Sequence, residues 1–158
     1  MENISLVLRP LKPRDEESWE IIERASLVKP LSIETVYYSM DEGGLRARVL
    51  EWTMDHTFKQ SRVQFIIGTL VYQILPEGIH ISSISIMPEI KKGGYLTWMI
   101  KRLKGMLNVE YSRFLKVFVR EDNRPAIKFF QSNEFRGIAV HKGIFGDRDG
   151  FEMVYNIL

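Results

Sequence analysis

The sequence contains no cysteine among its 158 residues. Disulfides, thiolate metal sites and a covalent acyl-cysteine intermediate are therefore excluded. A chain without disulfides suits a reducing compartment, and we expect a cytoplasmic protein. Histidine is also scarce, because only His56, His80 and His141 are present, and they are far apart in the sequence. They have no ligand spacing, so we predict no metal site.

Long apolar runs and a large charge of one sign are absent as well. No apolar run is long enough to span a membrane, and residues 1–10 lack the pattern of a signal peptide, so we expect no membrane contact. The net charge is only +2 without a long basic run, so we expect no nucleic-acid partner. The composition, 45% hydrophobic and 27% charged, is that of a globular protein. A chain of this length can bury a full core, and we expect one domain over residues 1–158.

The most informative stretch covers residues 79–108. Apolar and polar residues alternate over residues 79–82, which indicates a half-buried strand. The alternation then slips by one position at Ser82 and Ser83, and such a slip predicts a β-bulge. Pro88 ends the predicted strand. Beyond it, apolar residues recur at helical spacing and predict one face of a helix: Leu96, Met99, Ile100, Leu103, Met106 and Leu107.

Residues 91–97, with the sequence KKGGYLT, join this strand to the helix. The first N–H groups of a helix have no partner within it and lie at the positive end of its dipole. Glycine lets the backbone approach a ligand closely, and Lys91 and Lys92 add positive charge. Two interpretations stay open: a phosphate-binding turn, or a basic turn that only ends the strand. The GxGxxG and Walker motifs are absent, so neither of those nucleotide-binding loops is predicted.

This stretch resembles the acetyl-CoA site of the GNAT N-acetyltransferase superfamily. In that family, a strand ending in an apolar residue and often proline is followed by Arg/Gln-x-x-Gly-x-Gly/Ala and a helix. Pro88 matches the strand end, and Lys91 stands where Arg or Gln is usual. Gly94 matches the first glycine, and Leu96 replaces the second small residue. The resemblance implies that the backbone amides of the loop bind the pyrophosphate of acetyl-CoA. It assigns cofactor contacts to Ile86, Met87, Lys91, Lys92, Gly93, Gly94, Tyr95, Leu96 and Thr97.

A second block, residues 123–135, resembles another GNAT motif, Asn-x-x-Ala-x-x-Phe-Tyr. Asn123, Ala126 and Phe129 match it, and Phe130 stands where tyrosine is usual. From the residues alone, Asn123 predicts the N-cap of a helix. The resemblance adds that Asn123 and Phe130 contact the cofactor.

The opening segments LRPLKPRDEESW and LSIETVYYSM resemble those of GNAT domains from bacterial and archaeal protein lysine acetyltransferases. The residue patterns predict a strand over residues 4–9 and a helix over residues 15–27. They also predict a second helix capped by Ser32 and a third short helix over residues 45–52.

The remaining sequence is rich in strand patterns. We predict strands over residues 58–60, 62–75, 79–87, 114–119, 135–141 and 151–158. The turn residues 76–78 predict that the second and third of these strands form a hairpin. The element order and the resemblance imply the α/β (α+β) GNAT fold. That fold has a mixed central sheet, here of roughly six to seven strands, about four to five helices, and fourth and fifth strands that splay apart.

Direct transfer of an acetyl group to an amine needs a donor that polarises the thioester carbonyl, a base and an acid. The backbone N–H near Met87 is the candidate donor. His80 lies where histone-acetylating members of the family carry a glutamate base, and its ordinary pKa suits that role. A structural role for this histidine stays open, and Glu77 is the second candidate base. Phe130 has no hydroxyl, so the tyrosine acid of many members is missing.

We therefore predict an acetyl-CoA-dependent N-acetyltransferase acting on a primary amine. The acceptor is a protein lysine or N-terminus, or else a small molecule. The alternative is a non-catalytic acyl-CoA-binding regulatory module on the same fold, which Phe130 and Leu96 favour. The sequence leaves open the acyl group, the acceptor, and the choice between a monomer and a homodimer.

Overall fold

The structure is a computed structural model that describes residues 2–26 and 31–158. In those residues the strands are β1 (Glu2–Pro10), β2 (Leu45–His56), β3 (Ser61–Ile74), β4 (Gly78–Ile86), β5 (Phe114–Arg120), β6 (Arg136–His141) and β7 (Gly150–Asn156). The helices are α1 (Glu16–Ser26), α2 (Ile33–Asp41), α3 (Tyr95–Lys104) and α4 (Arg124–Ser132), with short 3₁₀ segments at Pro13–Asp15 and Pro88–Gly93. The predicted order of strands and helices is confirmed outside residues 45–60.

The strands form one seven-stranded sheet in the order β1-β2-β3-β4-β5-β7-β6. β1 is antiparallel to β2, β4 is parallel to β5, and β7 is antiparallel to both β5 and β6. The sheet is therefore mixed, as predicted. Pairing between β4 and β5 runs from Gly78 opposite Phe114 to Ile81 opposite Val117, and both strands continue beyond these residues.

The residues group into two compact units. Unit 1 comprises Met1–Val71 and Ser83–Leu96, and unit 2 comprises Tyr72–Ser82 and Thr97–Leu158. In unit 1, α1 and α2 bury apolar side chains together with β2 and β3: Leu11, Trp19, Ile33, Val36, Ala47, Val49 and Val71. In unit 2, α3 and alternate positions of β5 contribute six of the buried side chains: Met99, Ile100, Leu103, Leu115, Val117 and Val119. Burial of a valine, leucine, isoleucine or methionine side chain stabilises the fold by about 1.5–3 kcal/mol.

Two helices begin at the predicted capping residues. The Ser32 hydroxyl accepts a hydrogen bond from the Thr35 N–H at 3.2 Å, which starts α2. The Asn123 side chain accepts one from the Ala126 N–H at 3.3 Å, which starts α4. Both caps satisfy N–H groups that have no partner inside the helix.

Three predicted boundaries are wrong. Residues 45–52 belong to β2 rather than a third helix, because the strand pairs with β1 along its length, from Pro10 opposite Arg48 to Glu2 opposite His56. Residues 58–60 lie in a turn instead of a strand, and Phe58 there is 90% exposed. α3 ends at Lys104, so Met106 lies beyond it and is 46% exposed. The predicted end of the first helix, residue 27, lies outside the described residues.

Candidate functional site

The loop that follows β4 in unit 1 has a tightly turned backbone. Met87 precedes the 3₁₀ segment Pro88–Gly93, and Gly94 then adopts a left-handed conformation with φ +77°. A residue with a Cβ is strained at that φ, so glycine suits the position. At Gly93 a Cβ would collide with the Tyr95 ring instead. The two glycines are therefore needed for different reasons.

Lys91 and Lys92 are exposed in this loop, and no side chain lies within 4 Å of where a Cβ of Gly94 would stand. The loop leads directly into the first turn of α3. It thus offers positive charge, accessible backbone and a helix start at one place, which is the arrangement that favours a phosphate group.

The backbone N–H of Met87 itself takes part in the sheet. It donates to the carbonyl oxygen of Ile67 on β3 at 2.8 Å. The hydrogen bonding of β4 to β3 thus continues one residue beyond the strand end, and this N–H is already engaged. A donor near Met87 that polarises the thioester carbonyl stays a prediction.

An apolar pocket of about 400 Å³ lies beside the loop, within unit 1. Its lining residues are Trp52, Phe65, Ile67, Met87, Ile90 and Tyr95. The side chains of Met87 and Tyr95, both predicted cofactor contacts, therefore face a shared apolar space.

The slip in the hydrophobic pattern of β4 has an explanation other than a bulge. The side chains of Ile79, Ile81, Ser83 and Ser85 are all buried, whereas Ser82 between them is exposed. The alternation of burial thus continues through Ser82 and Ser83 without a shift. Serines simply replace isoleucines at the inward positions, so the sequence pattern slips although the pattern of burial does not.

His80, the candidate base, lies in unit 2 on the part of β4 that pairs with β5. It is opposite Lys116 in the register, and its ring meets the ring of Phe118 edge to face at 5.3 Å. Burial lowers the pKa of His80, the Lys116 cation lowers it further, and Glu152 opposes both effects. The imidazole is therefore neutral at pH 7 and able to accept a proton.

Glu77, the second candidate base, lies in the exposed turn before β4. Its carbonyl oxygen accepts the Arg113 N–H at 2.7 Å, which joins this turn to the start of β5. The carboxylate itself is open to solvent, as is usual for a turn residue.

Sequence reasoning missed the polar partners around His80. The Glu152 carboxylate on β7 forms a hydrogen bond with the His141 Nε2 at 2.8 Å and lies 3.9 Å from the Lys116 Nζ. Phe118 also meets the His141 ring at 5.1 Å. These residues come from three strands, so only the strand register brings them together. The available signal was a single charged residue among apolar neighbours in each strand, Lys116 in β5 and Glu152 in β7.

Asn123 and Phe130, the predicted cofactor contacts in residues 123–135, lie in unit 2. Asn123 caps α4, as described above. Phe130 is 4% exposed and packs edge to face against Phe129 and Phe135, each at 5.1 Å. This aromatic cluster gives Phe130 a core role, and its contact with a cofactor stays a prediction.

Two classes of site find no support in residues 2–26 and 31–158. No three histidine, aspartate or glutamate side chains in these ranges are grouped so that they could hold a metal ion. No helix in these ranges combines the length and the apolarity needed to cross a bilayer.

A mixed sheet with parallel β4 and β5, and a glycine loop between β4 and the next helix, is the arrangement of the GNAT acetyltransferases, and the chain has their fold. The chain is similar over nearly its whole length to the ribosomal-protein-S18-alanine N-acetyltransferase of Escherichia coli. The TM-score is 0.67 at 20% identity, covering 99% of this chain and 94% of that chain.

Two further solved structures are similar. For NAA60 of Arabidopsis thaliana in complex with a bisubstrate analogue, the TM-score is 0.70 at 19% identity, covering 96% of this chain and 98% of that one. For a GNAT family acetyltransferase of Elizabethkingia anophelis with acetyl-CoA bound, it is 0.64 at 13% identity, covering 98% and 99%. The sequence matches no protein-family model and no curated protein. At these identities the similarity shows the fold.

Proposed function

We propose that this protein is an acetyl-CoA-dependent N-acetyltransferase that transfers the acetyl group to a primary amine in a ternary complex. The loop after β4 supports this most directly, because it joins two exposed lysines, a left-handed glycine and a helix start in a GNAT fold. The E. anophelis enzyme of the same fold is solved with acetyl-CoA bound. The same residues would bind the diphosphate of acetyl-CoA here.

The proposed cofactor contacts are of two kinds, polar groups for the diphosphate and apolar side chains for the space beside it. Backbone N–H groups around Gly94 and the first turn of α3 would hold the diphosphate, and Lys91 and Lys92 would add charge. The apolar side chains of Met87 and Tyr95 would line the neighbouring space. The remaining predicted contacts are Ile86, Gly93, Leu96, Thr97, Asn123 and Phe130.

Bound acetyl-CoA supplies the thioester whose carbonyl carbon the amine attacks, so that a C–N bond forms and the C–S bond breaks. The protein must then remove one proton from the nitrogen. His80 is a predicted base because its imidazole is neutral at pH 7, and Glu77 is the other predicted base. The acid remains unassigned, since Phe130 lacks a hydroxyl.

We propose a protein amine in the cytoplasm as the acceptor, a lysine or an N-terminus. The E. coli relative in fold is a ribosomal-protein-S18-alanine N-acetyltransferase, and the Arabidopsis one is solved with a bisubstrate analogue. The opening segments add the resemblance to lysine acetyltransferases. Small-molecule amines form the comparison group in the assay below.

A regulatory acyl-CoA-binding module is the second candidate function. Two observations favour it: Phe130 is buried without a hydroxyl, and the Met87 N–H is bonded to Ile67. This candidate predicts binding of acetyl-CoA by calorimetry with no release of CoA in the presence of amines.

The assay measures CoA release from acetyl-CoA with peptide N-termini, peptide lysines and small amines, corrected for hydrolysis. We expect amine-dependent release that is fastest with peptides. Lys91→Ala/Lys92→Ala should weaken acetyl-CoA binding about tenfold, and more at low salt. Lys59→Ala, in the turn before β3, removes the same type of charge and should leave binding unchanged. Equal binding by both variants would contradict the assignment of the loop.

A further inference from the structure

The carboxyl of Glu23 on α1 is buried. It is 1% exposed, and its Oε1 accepts hydrogen bonds from the Thr69 hydroxyl at 2.7 Å and the Ser83 hydroxyl at 3.4 Å. Its Oε2 accepts the Leu31 N–H at 3.3 Å. In the part of the chain that the structure describes, no lysine, arginine or histidine forms an ion pair with it. A buried carboxylate without a counter-ion is costly, and such groups occur more often at functional sites.

The inward face of β4 connects this carboxyl to the end of the strand. Ser83 and Ser85 are 7% and 3% exposed and lie on the same face, about 7 Å apart along the strand. The Ser85 hydroxyl has no hydrogen-bond partner among the described residues. A water or a substrate atom usually completes the hydrogen bonding of such a buried group. Two residues after Ser85, Met87 opens the loop proposed to bind the cofactor.

We propose that Glu23 is the proton acceptor of the acetyl transfer, receiving the proton through the Ser85 hydroxyl, a water molecule and the Ser83 hydroxyl. This inference rests on the proposed function. The water is needed because Ser85 and Ser83, about 7 Å apart along the strand, are too far apart for a direct hydrogen bond. Each of these three groups accepts one proton and passes on another, so one proton moves from the amine nitrogen to the carboxylate and nothing is oxidised or reduced. Glu23 acts through these groups, so it is a positioning residue for the proton and does not touch the acceptor.

The electrostatics around Glu23 agree with this role. Burial raises the pKa of the carboxyl, and the hydrogen bonds from Thr69, Leu31 and Ser83 reduce that rise. Within residues 2–26 and 31–158, its hydrogen-bond donors come from the residue before the Ser32 cap, from β3 and from β4, and none of them is ionisable. Its titration should therefore follow its burial and these hydrogen bonds. A base with a raised pKa accepts protons more readily near neutral pH.

The test compares the pH dependence of kcat in four variants with that of the wild type, using the amine that gives the fastest CoA release. Glu23→Gln should lower kcat about a hundredfold and remove the fall in rate at acid pH, while the KM for acetyl-CoA stays unchanged. Ser85→Ala should lower kcat about tenfold. Thr69→Val should move the acid limb to higher pH, because it removes a hydrogen bond that favours the carboxylate.

Glu20→Gln is the matched control, because Glu20 lies on the same helix but is exposed and paired with Arg24. We expect it to retain the wild-type profile. If Glu23→Gln keeps both kcat and the acid limb, the proton role is overturned and acetyl transfer still stands. If Glu23→Gln does not fold, an unchanged kcat in Ser85→Ala and an unmoved limb in Thr69→Val overturn it. A wild type that releases no CoA with any amine overturns the proposed function and this role together.

Discussion

At the scale of single residues, the charges around His80 affect the pKa of its imidazole. Burial and the Lys116 cation lower its pKa, and Glu152 opposes them. Lys116→Met should therefore raise the pKa of His80, because a neutral side chain no longer disfavours the imidazolium. Glu152→Gln should lower it. Titration of the His80 ring protons by NMR measures both shifts, and a pKa that moves in the same direction in the two variants would contradict this account.

Glu23 gives the second prediction at this scale. Its raised pKa means that the folded state binds this proton more tightly than the unfolded state. The resulting stabilisation is complete below the unfolded pKa, about 4.3, and is lost as pH rises through the folded pKa. Glu23→Gln is neutral at every pH, so its free energy of unfolding should gain on that of the wild type as pH rises above the unfolded pKa. Urea denaturation at a series of pH values measures the gain.

If the difference in free energy of unfolding between Glu23→Gln and the wild type stays constant with pH, the prediction is contradicted. If Glu23→Gln is more stable than the wild type but turns over more slowly, the result fits the common conflict between stability and activity at functional sites.

At the scale of elements, Arg9 joins β1, β2 and the start of α1. Its guanidinium donates to Asp15 at 2.7 and 2.9 Å and to Glu51 at 3.0 and 2.9 Å. Burial opposes ionisation of Asp15, but Arg9 and the Lys12 N–H hold its pKa below the usual value. Asp15→Asn should lower the free energy of unfolding by on the order of 2–3 kcal/mol. Thermal and urea denaturation measure this loss.

Arg24→Ala provides the control for Asp15→Asn. Arg24 pairs with Glu20 on the surface of α1, where its side chain is 74% exposed. Exposed pairs of this kind contribute about 0.3–0.5 kcal/mol. A similar loss in both variants would show that the buried position of Asp15 adds nothing to the pair.

The sequence predicted correctly where α2 and α4 begin, because a helix start depends on residues close by in the chain. Ser32 and Asn123 start helices because each caps an N–H three residues ahead. β2 was predicted as a helix because Leu45, Val49 and Trp52 also fit helical spacing. These residues form a strand because they pair with β1, whose residues lie about 40 positions earlier in the sequence.

In the candidate site, too, the features that depend on nearby residues were predictable and those that depend on distant residues were not. The loop with Gly94 was located from its motif, whereas the engaged N–H of Met87 depends on Ile67 of another strand. The surroundings of Glu23 were not predictable, since its hydrogen-bond partners Thr69 and Ser83 are 46 and 60 residues away. Sequence periodicity identified the helix of Glu23 but not the polar group that it buries.

At the scale of the whole molecule, the chain passes between its two units inside regular elements. The boundaries at Val71, Ser82 and Leu96 fall within β3, β4 and α3. Neither unit is a continuous segment with complete strands, so we expect them to unfold together as a single domain. Trp19 and Trp52 report on unit 1, and Trp98 reports on unit 2. Fluorescence of Trp98→Phe therefore follows unit 1, and that of the double variant Trp19→Phe/Trp52→Phe follows unit 2. In each variant the fluorescence midpoint in urea should coincide with the midpoint from far-UV circular dichroism, and separate midpoints would contradict this.

The strand order has a consequence for a chain that lacks its last strand. β6 pairs only with β7 among the described strands, because β7 lies between it and β5. Without β7, β6 would have an unpaired backbone beside Ile138 and Val140, whose side chains are exposed even in the folded chain. A variant truncated after residue 149 should therefore depend on chaperones that shield strand edges, whereas the full chain should not.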